Sequence, residues 1–217
     1  SFADINNGLV AHYKFDKDIK DSSGNSLDGT APNGISWISG ISSYAAYFDG
    51  VDDYIDISSI CSKLYGSGTG TISLWFYWPT SQDINCNIFY YSNINNHNLG
   101  HIGLGDVTNY MVDESVTFAL HNGKLLMAHD NGHNYFMDNH WHHIAIVMDR
   151  DSNFLYIDGI KTDVNYISGD QNIGNILWED IAFARIGRGR DQNNWSLFKG
   201  AIDEFRIYNR ALSEDEI

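Results

Sequence analysis

Short segments in which side chains alternate between two faces recur throughout this sequence. In the segment GTISLWFYWP, Ile72, Leu74 and Phe76 share one face of an extended chain, and Trp75 and Tyr77 share the other. A period of two residues is the pattern of a β-strand, and large side chains on both faces indicate a central strand that is covered on both sides. The pattern therefore predicts a fold built from β-sheets.

Turn signals separate these segments. Asn122-Gly123 and Asp158-Gly159 each stand between two alternating runs, and such pairs form the two-residue turns whose twist matches a β-hairpin. No long amphipathic helix is indicated, although Ser213 is placed to cap one terminal helical turn. About ten short strands with frequent turns are typical of a two-sheet antiparallel β-sandwich or jelly roll. We predict one all-β domain over residues 1–217.

The charge balance restricts the partners. The 217 residues include 28 acidic and 13 basic side chains, which gives a formal net charge of −15. A field of this sign repels nucleic-acid phosphates and anionic membranes, and it attracts cations. No apolar run approaches the roughly 18 residues that span a bilayer. We therefore expect no nucleic-acid partner and no direct membrane insertion, and the start at Ser1 without a methionine suggests a segment of a larger protein.

The two cysteines leave one covalent question open. Cys61 and Cys86 lack the CxxC spacing, which excludes a zinc site built on cysteine alone. A disulfide between them depends on the geometry of the fold, so the sequence does not decide it.

Four segments, taken in order, carry a family resemblance. They read GLVAHYKFD, AAYFDGVDDYIDI, WHHIAIVMDRDSNFLYIDG and FKGAIDEFRIYNRALSEDEI. Together they resemble the laminin-G-like, concanavalin A-like jelly-roll domains (the LamG-like family). The resemblance implies a two-sheet sandwich whose first and last strands lie side by side, with a structural calcium ion near their meeting point. It also implies a secreted or cell-surface protein with further domains.

The resemblance also implies a set of calcium ligands. Asp203, in the step GAIDE, would help to hold the ion together with Asp21 and Asn25 of the loop DSSGNSLDG, and Asp16 and Asp49 are second-choice ligands. Calcium takes six to eight oxygen ligands at about 2.3–2.6 Å, so a few side chains with carbonyl oxygens and water would suffice. The alternative is that Asp203 caps a bulge and Asp21 makes an Asx turn.

The neighbour of Asp203 is also acidic, although strands rarely contain such pairs. By alternation Glu204 points to the opposite face of the strand. We expect it to form an ion pair with Arg206, Arg210 or Lys14.

No catalytic pattern is evident. Retaining glycoside hydrolases need two carboxyl groups about 5–5.5 Å apart. The segment most similar to a strand with such carboxylates, Asp53 to Asp56, contains no glutamate. The motifs GxSxG, HExxH and the P-loop are missing as well. We predict that the domain is not an enzyme, with a divergent glycan-cleaving enzyme as the remaining alternative.

Two regions rich in Asn and Gly are candidates for ligand contact. They cover residues 92–110 and 189–200, and long loops in compact domains are usually functional or disordered. Planar amides bond to sugar hydroxyls, and aromatic faces stack on sugar rings. The predicted ligand-binding residues are Trp195, Asn194, Asn193, Tyr110, His101 and Trp178. The alternative for a tryptophan near a strand is a position in the core.

These observations lead to two functional hypotheses. The first is a non-catalytic, calcium-stabilised module that binds a glycan or another cell-surface ligand, through loops at one rim or through the concave sheet. The second is a structural or protein-binding module, an adhesion or spacer unit without a sugar site. A shared fold does not carry a shared activity, so the fold alone does not separate them.

Overall fold

The computed structural model describes residues 4–79, 85–93, 98–105, 116–120, 124–128, 136, 138–150, 152–166, 178, 181–189 and 197–217. Within them lie fifteen strands. The strands are β1 (Leu9–Tyr13), β2 (Ser36–Ser39), β3 (Tyr44–Asp49), β4 (Ile55–Asp56), β5 (Thr69–Tyr77), β6 (Asn85–Ser92), β7 (Asn98–Gly105), β8 (Val116–Leu120), β9 (Lys124–Ala128), β10 (Trp141–Asp149), β11 (Ser152–Ile157), β12 (Ile160–Thr162), β13 (Val164–Tyr166), β14 (Phe183–Ile186) and β15 (Lys199–Tyr208).

Helical structure in these ranges is short. It consists of one α-helix, α1 (Cys61–Leu64), and 3-10 turns at Ser58–Ile60 and Glu214–Glu216. In the part of the chain that the structure describes, no helix is long and apolar enough to cross a membrane. The terminal turn is closed by a capping box between Ser213 and Glu216, as the sequence predicts.

The strands form two antiparallel sheets. Sheet A has eight strands in the order β12-β11-β10-β5-β15-β3-β2, and β1 joins it by pairing with β15. Sheet B has seven strands in the order β13-β9-β8-β7-β6-β14-β4. The predicted all-β sandwich is therefore confirmed.

The core lies between the two sheets. Ile72, Leu74 and Phe76 of β5 are fully buried and belong to the main apolar cluster, as their alternation predicts. From sheet B, Phe89 reaches across the interface, and its ring centroid lies 5.3 Å from that of Phe205 on β15. Burying a side chain of this kind contributes about 1.5–3 kcal/mol.

The last strand connects most of sheet A. Along one edge β15 pairs with β5. Along its other edge it pairs with β3 through residues 199–202 and with β1 through residues 205–208. The first and last strands are thus neighbours, and the change of partner falls at Asp203 and Glu204.

A β-bulge occupies this point. Asp203 lies opposite Trp75, and Arg206 lies opposite Ser73, so β15 has one residue more than β5 in this interval. Glu204 takes up the extra residue with a φ of 51°. Bulges change the direction of side chains, and as a result Asp203 and Arg206 both lie on the face of sheet A that points away from sheet B.

The Asp203 side chain holds the bulge in place. It is fully buried. One carboxylate oxygen accepts the N–H of Ile41 at 2.8 Å and that of Ser42 at 3.2 Å, both in the turn between β2 and β3. The other accepts the N–H of Glu204 at 2.8 Å. A single carboxylate therefore ties the bulge to a distant turn.

Other local expectations can be compared with the structure. Asp158 and Gly159 join β11 to β12 with φ angles of 50° and 76°, as the predicted hairpin turn requires. The turn Asn122-Gly123 lies outside the described residues. Cys61 and Cys86 are both free and buried, so they do not form the disulfide that the sequence leaves open.

Replacing Gly40 tests the packing around the bulge. A Cβ at this position would lie 2.5 Å from an Asp203 carboxylate oxygen and 2.6 Å from the carbonyl oxygen of Tyr44. Overpacking of this kind costs about 1–3 kcal/mol, so we expect Gly40→Ala to lower the free energy of unfolding by that amount in chemical denaturation.

The matched control is Ser42→Ala in the same turn. Ser42 is exposed, and the alanine variant retains the backbone N–H that Asp203 accepts. We therefore expect the free energy of unfolding of Ser42→Ala to stay within about 0.5 kcal/mol of that of the unchanged protein. Equal losses for both variants would contradict the explanation by close contact.

Candidate functional site

The Asp21 carboxylate accepts hydrogen bonds from its own loop and from strand β1. One oxygen accepts the N–H of His12 at 3.0 Å and that of Ser23 at 2.8 Å. The other accepts the N–H of Leu27 at 3.0 Å and the hydroxyl of Ser23 at 2.8 Å. Burial opposes the charge, but the hydrogen bonds outweigh it and hold the pKa of Asp21 below its ordinary value. The bond to Ser23, two residues on, is that of an Asx turn.

The other predicted ligands also make local contacts. The side-chain nitrogen of Asn25 donates to the carbonyl oxygens of Leu9 and Val10 at 3.1 and 2.9 Å. Asp16 accepts the N–H of Tyr44 at 3.2 Å. Each of these side chains therefore closes a loop or attaches it to a strand.

The predicted calcium ligands make their hydrogen bonds in separate places. Asp21 accepts N–H groups from β1 and from its own loop, and Asp203 accepts them from the bulge and from the turn between β2 and β3. These contacts match the alternative, an Asx turn at Asp21 and a capped bulge at Asp203. Calcium binding by Asp21, Asn25 and Asp203 stays a prediction.

A different acidic trio does converge. In the described ranges, Asp49, Asp52 and Asp53 are the group whose carboxylate oxygens all lie within 4.8 Å of one another. Burial raises the pKa of Asp53, and the charges of Asp49 and Asp52 add to the effect. Exposed acidic groups are common without a metal, so calcium binding stays a prediction.

Glu204 makes the ion pair expected of it and one more. Its carboxylate contacts the guanidinium of Arg206, which is one of the three predicted partners. It also lies 2.7 Å from Nε2 of His12 on β1. Burial opposes ionisation of Glu204, but the bonds from His12 and Arg206 outweigh it and lower its pKa.

Two of the six predicted ligand-binding residues lie within the described ranges. Trp195, Asn194, Asn193 and Tyr110 lie outside them. Trp178 is fully buried, and its ring centroid lies 4.9 Å from that of Tyr91. It therefore belongs to the core and presents no free face to a ligand.

His101 lies on the face of sheet B that points away from sheet A, called here the outer face of sheet B. On this face the cross-strand pairs run from Asp56 to Arg185, from Arg185 to Tyr90 and from Tyr90 to His101. The intervening residues of the same strands, such as Ile102, point into the core. The sheet thus presents a row of polar and aromatic side chains across four strands.

Three buried polar atoms on this face have no partner. They are Oδ1 of Asn87, Nε2 of His101 and Oγ1 of Thr117. Asn87 and Thr117 lie on either side of Gly103, so two strand spacings, about 10 Å, separate their backbones. His101 is two residues from Gly103 on the same face. An unsatisfied buried group of this kind costs about 1–3 kcal/mol, and each one requires an explanation.

His101 is uncharged at neutral pH. Burial lowers its pKa to about 4, because a charged imidazolium is poorly solvated there. A neutral imidazole offers one donor and one acceptor. The three unpartnered atoms together can therefore both donate to and accept from a hydroxylated molecule.

Aromatic and arginine side chains gather at the β14 end of the row. The guanidinium carbons of Arg185 and Arg188 lie 5.3 and 5.2 Å from the ring centroid of Tyr54. Arg185 also lies 5.0 Å from the ring centroid of Phe183 and 3.8 Å from a carboxylate oxygen of Asp56. Tyr54 and Phe183 are partly exposed. Strand β14, which carries Phe183, lies one strand from Asn87 on β6, two from His101 on β7 and three from Thr117 on β8.

Comparison with known proteins identifies the family of this fold. The model of a family described as the concanavalin A-like lectin/glucanases superfamily matches residues 49–217. The non-toxic nonhemagglutinin of Paraclostridium bifermentans is 26% identical over 212 residues, a match that covers 93% of this chain and 16% of that protein. The chain therefore spans about a sixth of the length of this curated relative.

Solved structures show the same fold at low identity. Domain 4 of AbnA, an extracellular arabinanase of Geobacillus stearothermophilus solved with arabinotriose, aligns with a TM-score of 0.67 at 23% identity over 96% of this chain and 95% of that one. The binding domain of Paraclostridial Mosquitocidal Protein 1 aligns with a TM-score of 0.63 at 22% identity, over 98% of this chain and 51% of that one. The binding domain of Botulinum Neurotoxin DC, solved with SialylT, aligns with a TM-score of 0.68 at 14% identity, over 98% of this chain and 50% of that one. These likenesses concern the fold alone.

Replacing Asp203 separates a structural from a metal-binding role. In Asp203→Asn one acceptor oxygen becomes a donor group that faces an N–H, which costs about 1–3 kcal/mol. We expect this loss of unfolding free energy to be the same in calcium and in EDTA. Asp18→Asn is the control, because Asp18 accepts one exposed N–H from Lys20. A loss that appears only in calcium would restore Asp203 as a metal ligand.

The titration of Asp203 is a second test. Burial raises its pKa to about 6, although N–H bonds oppose this. Because the folded state then binds its proton more tightly than the unfolded state, the contribution of Asp203 to stability should fall as the pH rises from about 4 to about 6. The measurement is the carboxyl ¹³C shift against pH, and a midpoint near 4 would contradict the expected desolvation.

Proposed function

The chain belongs to the concanavalin A-like lectin/glucanases superfamily, and on this premise we propose that it is a non-catalytic carbohydrate-binding module. Its site is the outer face of sheet B. The observation that carries the proposal is the set of unpartnered buried atoms on Asn87, His101 and Thr117. A bound glycan supplies the missing hydrogen bonds.

The chemistry of this face suits a sugar. Sugar hydroxyls both donate and accept, as do a neutral imidazole and a threonine hydroxyl, while the Asn87 oxygen accepts. Asn87 and His101 are only half-buried as residues, whereas Thr117 is fully buried, so a ligand approaches from the side of Asn87 and His101. The rings of Tyr54 and Phe183 supply flat apolar surfaces of the kind on which sugar rings stack.

Proteins of the same fold support this choice. One is solved with arabinotriose and another with SialylT, and both names state a carbohydrate complex for those proteins. The neighbours include the binding domain of a botulinum neurotoxin and a domain of an extracellular arabinanase. We accordingly propose that this chain is part of a secreted protein with further domains and that it binds a glycan.

The absence of catalysis is part of the proposal. Glycoside hydrolysis needs two carboxyl groups at a defined spacing. In the described row on the outer face of sheet B, the carboxylate is that of Asp56, and Arg185 lies beside it. A single ion-paired carboxylate supports binding rather than bond cleavage.

A second candidate function is protein binding. The binding domain of Botulinum Neurotoxin DC is also solved with rat synaptotagmin II, so the fold occurs in a domain with a protein ligand. Under this alternative the protein would bind no polysaccharide or glycan. The unpartnered atoms would instead form hydrogen bonds with the surface of a protein partner.

Thr117→Val tests the sugar site directly. Valine has nearly the same shape but lacks the hydroxyl, so the variant loses one hydrogen bond to the sugar, worth about 1 kcal/mol or roughly fivefold in affinity. The free protein no longer buries an unpartnered hydroxyl, so its melting temperature should rise. A glycan array identifies the ligand, and calorimetry measures the affinity.

The control is Thr162→Val on β12, at the edge of sheet A. It should leave both the affinity and the stability nearly unchanged. Full sugar affinity in Thr117→Val would contradict the proposed site, and retention on no glycan at all would favour the protein-binding alternative.

A further inference from the structure

A separate cavity lies on the outer face of sheet A, on the opposite side of the sandwich. Its volume is about 270 Å³. Residues of three neighbouring strands line its floor, with Trp75 on β5, His143 on β10 and Arg206 on β15 among them. The cavity shares no lining residue with the outer face of sheet B, so it is independent of the site described above.

The polar floor of this cavity is held in place before any ligand binds. The Ser73 hydroxyl and Nε2 of His143 are 2.9 Å apart. Burial lowers the pKa of His143 to about 4, and the charge of Arg206 adds to this, although Asp158 opposes it. The ring is therefore neutral at physiological pH. Arg206 is oriented by its contact with Glu204.

One wall is aromatic and the rim is apolar. The Trp75 indole is partly exposed, and its ring centroid lies 5.1 Å from that of His143. Leu212 and Ile217, from the segment that folds back after β15, line the rim. This arrangement places an aromatic face beside hydrogen-bonding groups, which suits a molecule with one apolar and one hydroxylated side.

A fixed carboxylate completes the lining. The Glu216 side chain is mostly buried and accepts two bonds from Arg210, at 2.6 and 2.8 Å. The N–H and the hydroxyl of Ser213 also donate to it, at 2.9 and 3.1 Å and on the same oxygen, so the other oxygen, Oε1, accepts from Arg210 alone among these donors. The bonds from Arg210 lower the pKa of Glu216 to about 2. Glu216 therefore remains an acceptor at every physiological pH.

The charges in the cavity balance. Arg206 is paired with Glu204, Glu216 is paired with Arg210, and His143 is neutral, so each charge in the cavity already has a partner. A cation would meet the like charge of Arg206 there, and an anion would meet that of Glu216. The balance favours an uncharged ligand.

The volume limits the ligand to a small molecule. A space of 270 Å³ corresponds to roughly nine water molecules at about 30 Å³ each. It lies just below the lower limit of about 300 Å³ for pockets that take drug-sized ligands. One sugar ring fits this space, whereas an oligosaccharide would have to extend beyond the rim.

We propose that this cavity is a second binding site, which takes a single uncharged sugar ring stacked on Trp75, with its hydroxyls bonded to Arg206 and Glu216. The site is independent of the one on the outer face of sheet B. A module with both sites can hold two sugar residues on opposite faces.

The test follows the indole N–H signals by ¹H–¹⁵N NMR in the full chain. The probes are methyl glycosides of glucose, galactose, mannose and N-acetylglucosamine, with arabinose, and glucuronate is the charged comparison. At least one neutral probe should shift the Trp75 signal saturably with a Kd near the millimolar range, and glucuronate should bind at least tenfold more weakly. No saturable shift with any neutral sugar, or equal binding of glucuronate, would overturn the proposal.

Variants locate the binding. Trp75→Ala should weaken it at least tenfold, and Trp141→Ala is the matched control, because Trp141 lies on the same face but outside the cavity. Should Trp75→Ala fail to fold, Ile217→Trp serves instead, since it fills the mouth from the rim and should block binding. Binding that survives Ile217→Trp would overturn the proposal.

Thr117→Val separates the two sites. It is expected to weaken glycan binding on the outer face of sheet B while the sugar-induced shift of Trp75 persists. Loss of the Trp75 shift in this variant would mean that the cavity is not an independent site. Failure of the sheet B site alone would leave the Trp75 shift intact.

Discussion

Sheet A depends on the pairing of one bulged strand, β15, with three other strands. Strand β15 pairs with β5 along one edge and exchanges β3 for β1 along the other. The exchange is fixed by a buried carboxylate, because Asp203 accepts N–H groups from the bulge and from the turn between β2 and β3. A shift of one residue turns every following side chain to the opposite face. The bulge therefore decides which side chains of the last strand reach the core.

The same constraint builds a cavity on the outer surface. Because the bulge adds one residue, Arg206 lies opposite Ser73 on the face that points away from the core, while Phe205 is buried against Phe89. Arg206 thereby joins Trp75 and His143 around one space. The two outer faces of the sandwich thus differ in character. Sheet A has a cavity with balanced charges, and sheet B has three buried polar atoms, on Asn87, His101 and Thr117, that lack partners.

The calcium hypothesis shows what residue types alone leave open. Asp21 and Asp203 have the chemistry of calcium ligands, but a carboxylate serves equally well as an acceptor of N–H groups, and the sequence does not state which partner it meets. Here backbone donors occupy both. Glu204 shows the opposite case, because its contact with Arg206 follows from their closeness on one strand. Its contact with His12 on β1 joins residues 192 positions apart and depends on the fold.

The sequence by itself determined the architecture, since alternation and turn residues act over a few neighbours and are visible in the chain. The hairpin at Asp158-Gly159, the buried face of β5 and the capped terminal turn all follow from such local rules. The grouping of the residues in the proposed sites was decided by tertiary structure, although the sequence analysis had named His101. Asn87, His101 and Thr117 come from three strands, and they share a face only because those strands pair in one register. Register depends on packing between segments far apart in the chain, and no local pattern encodes it.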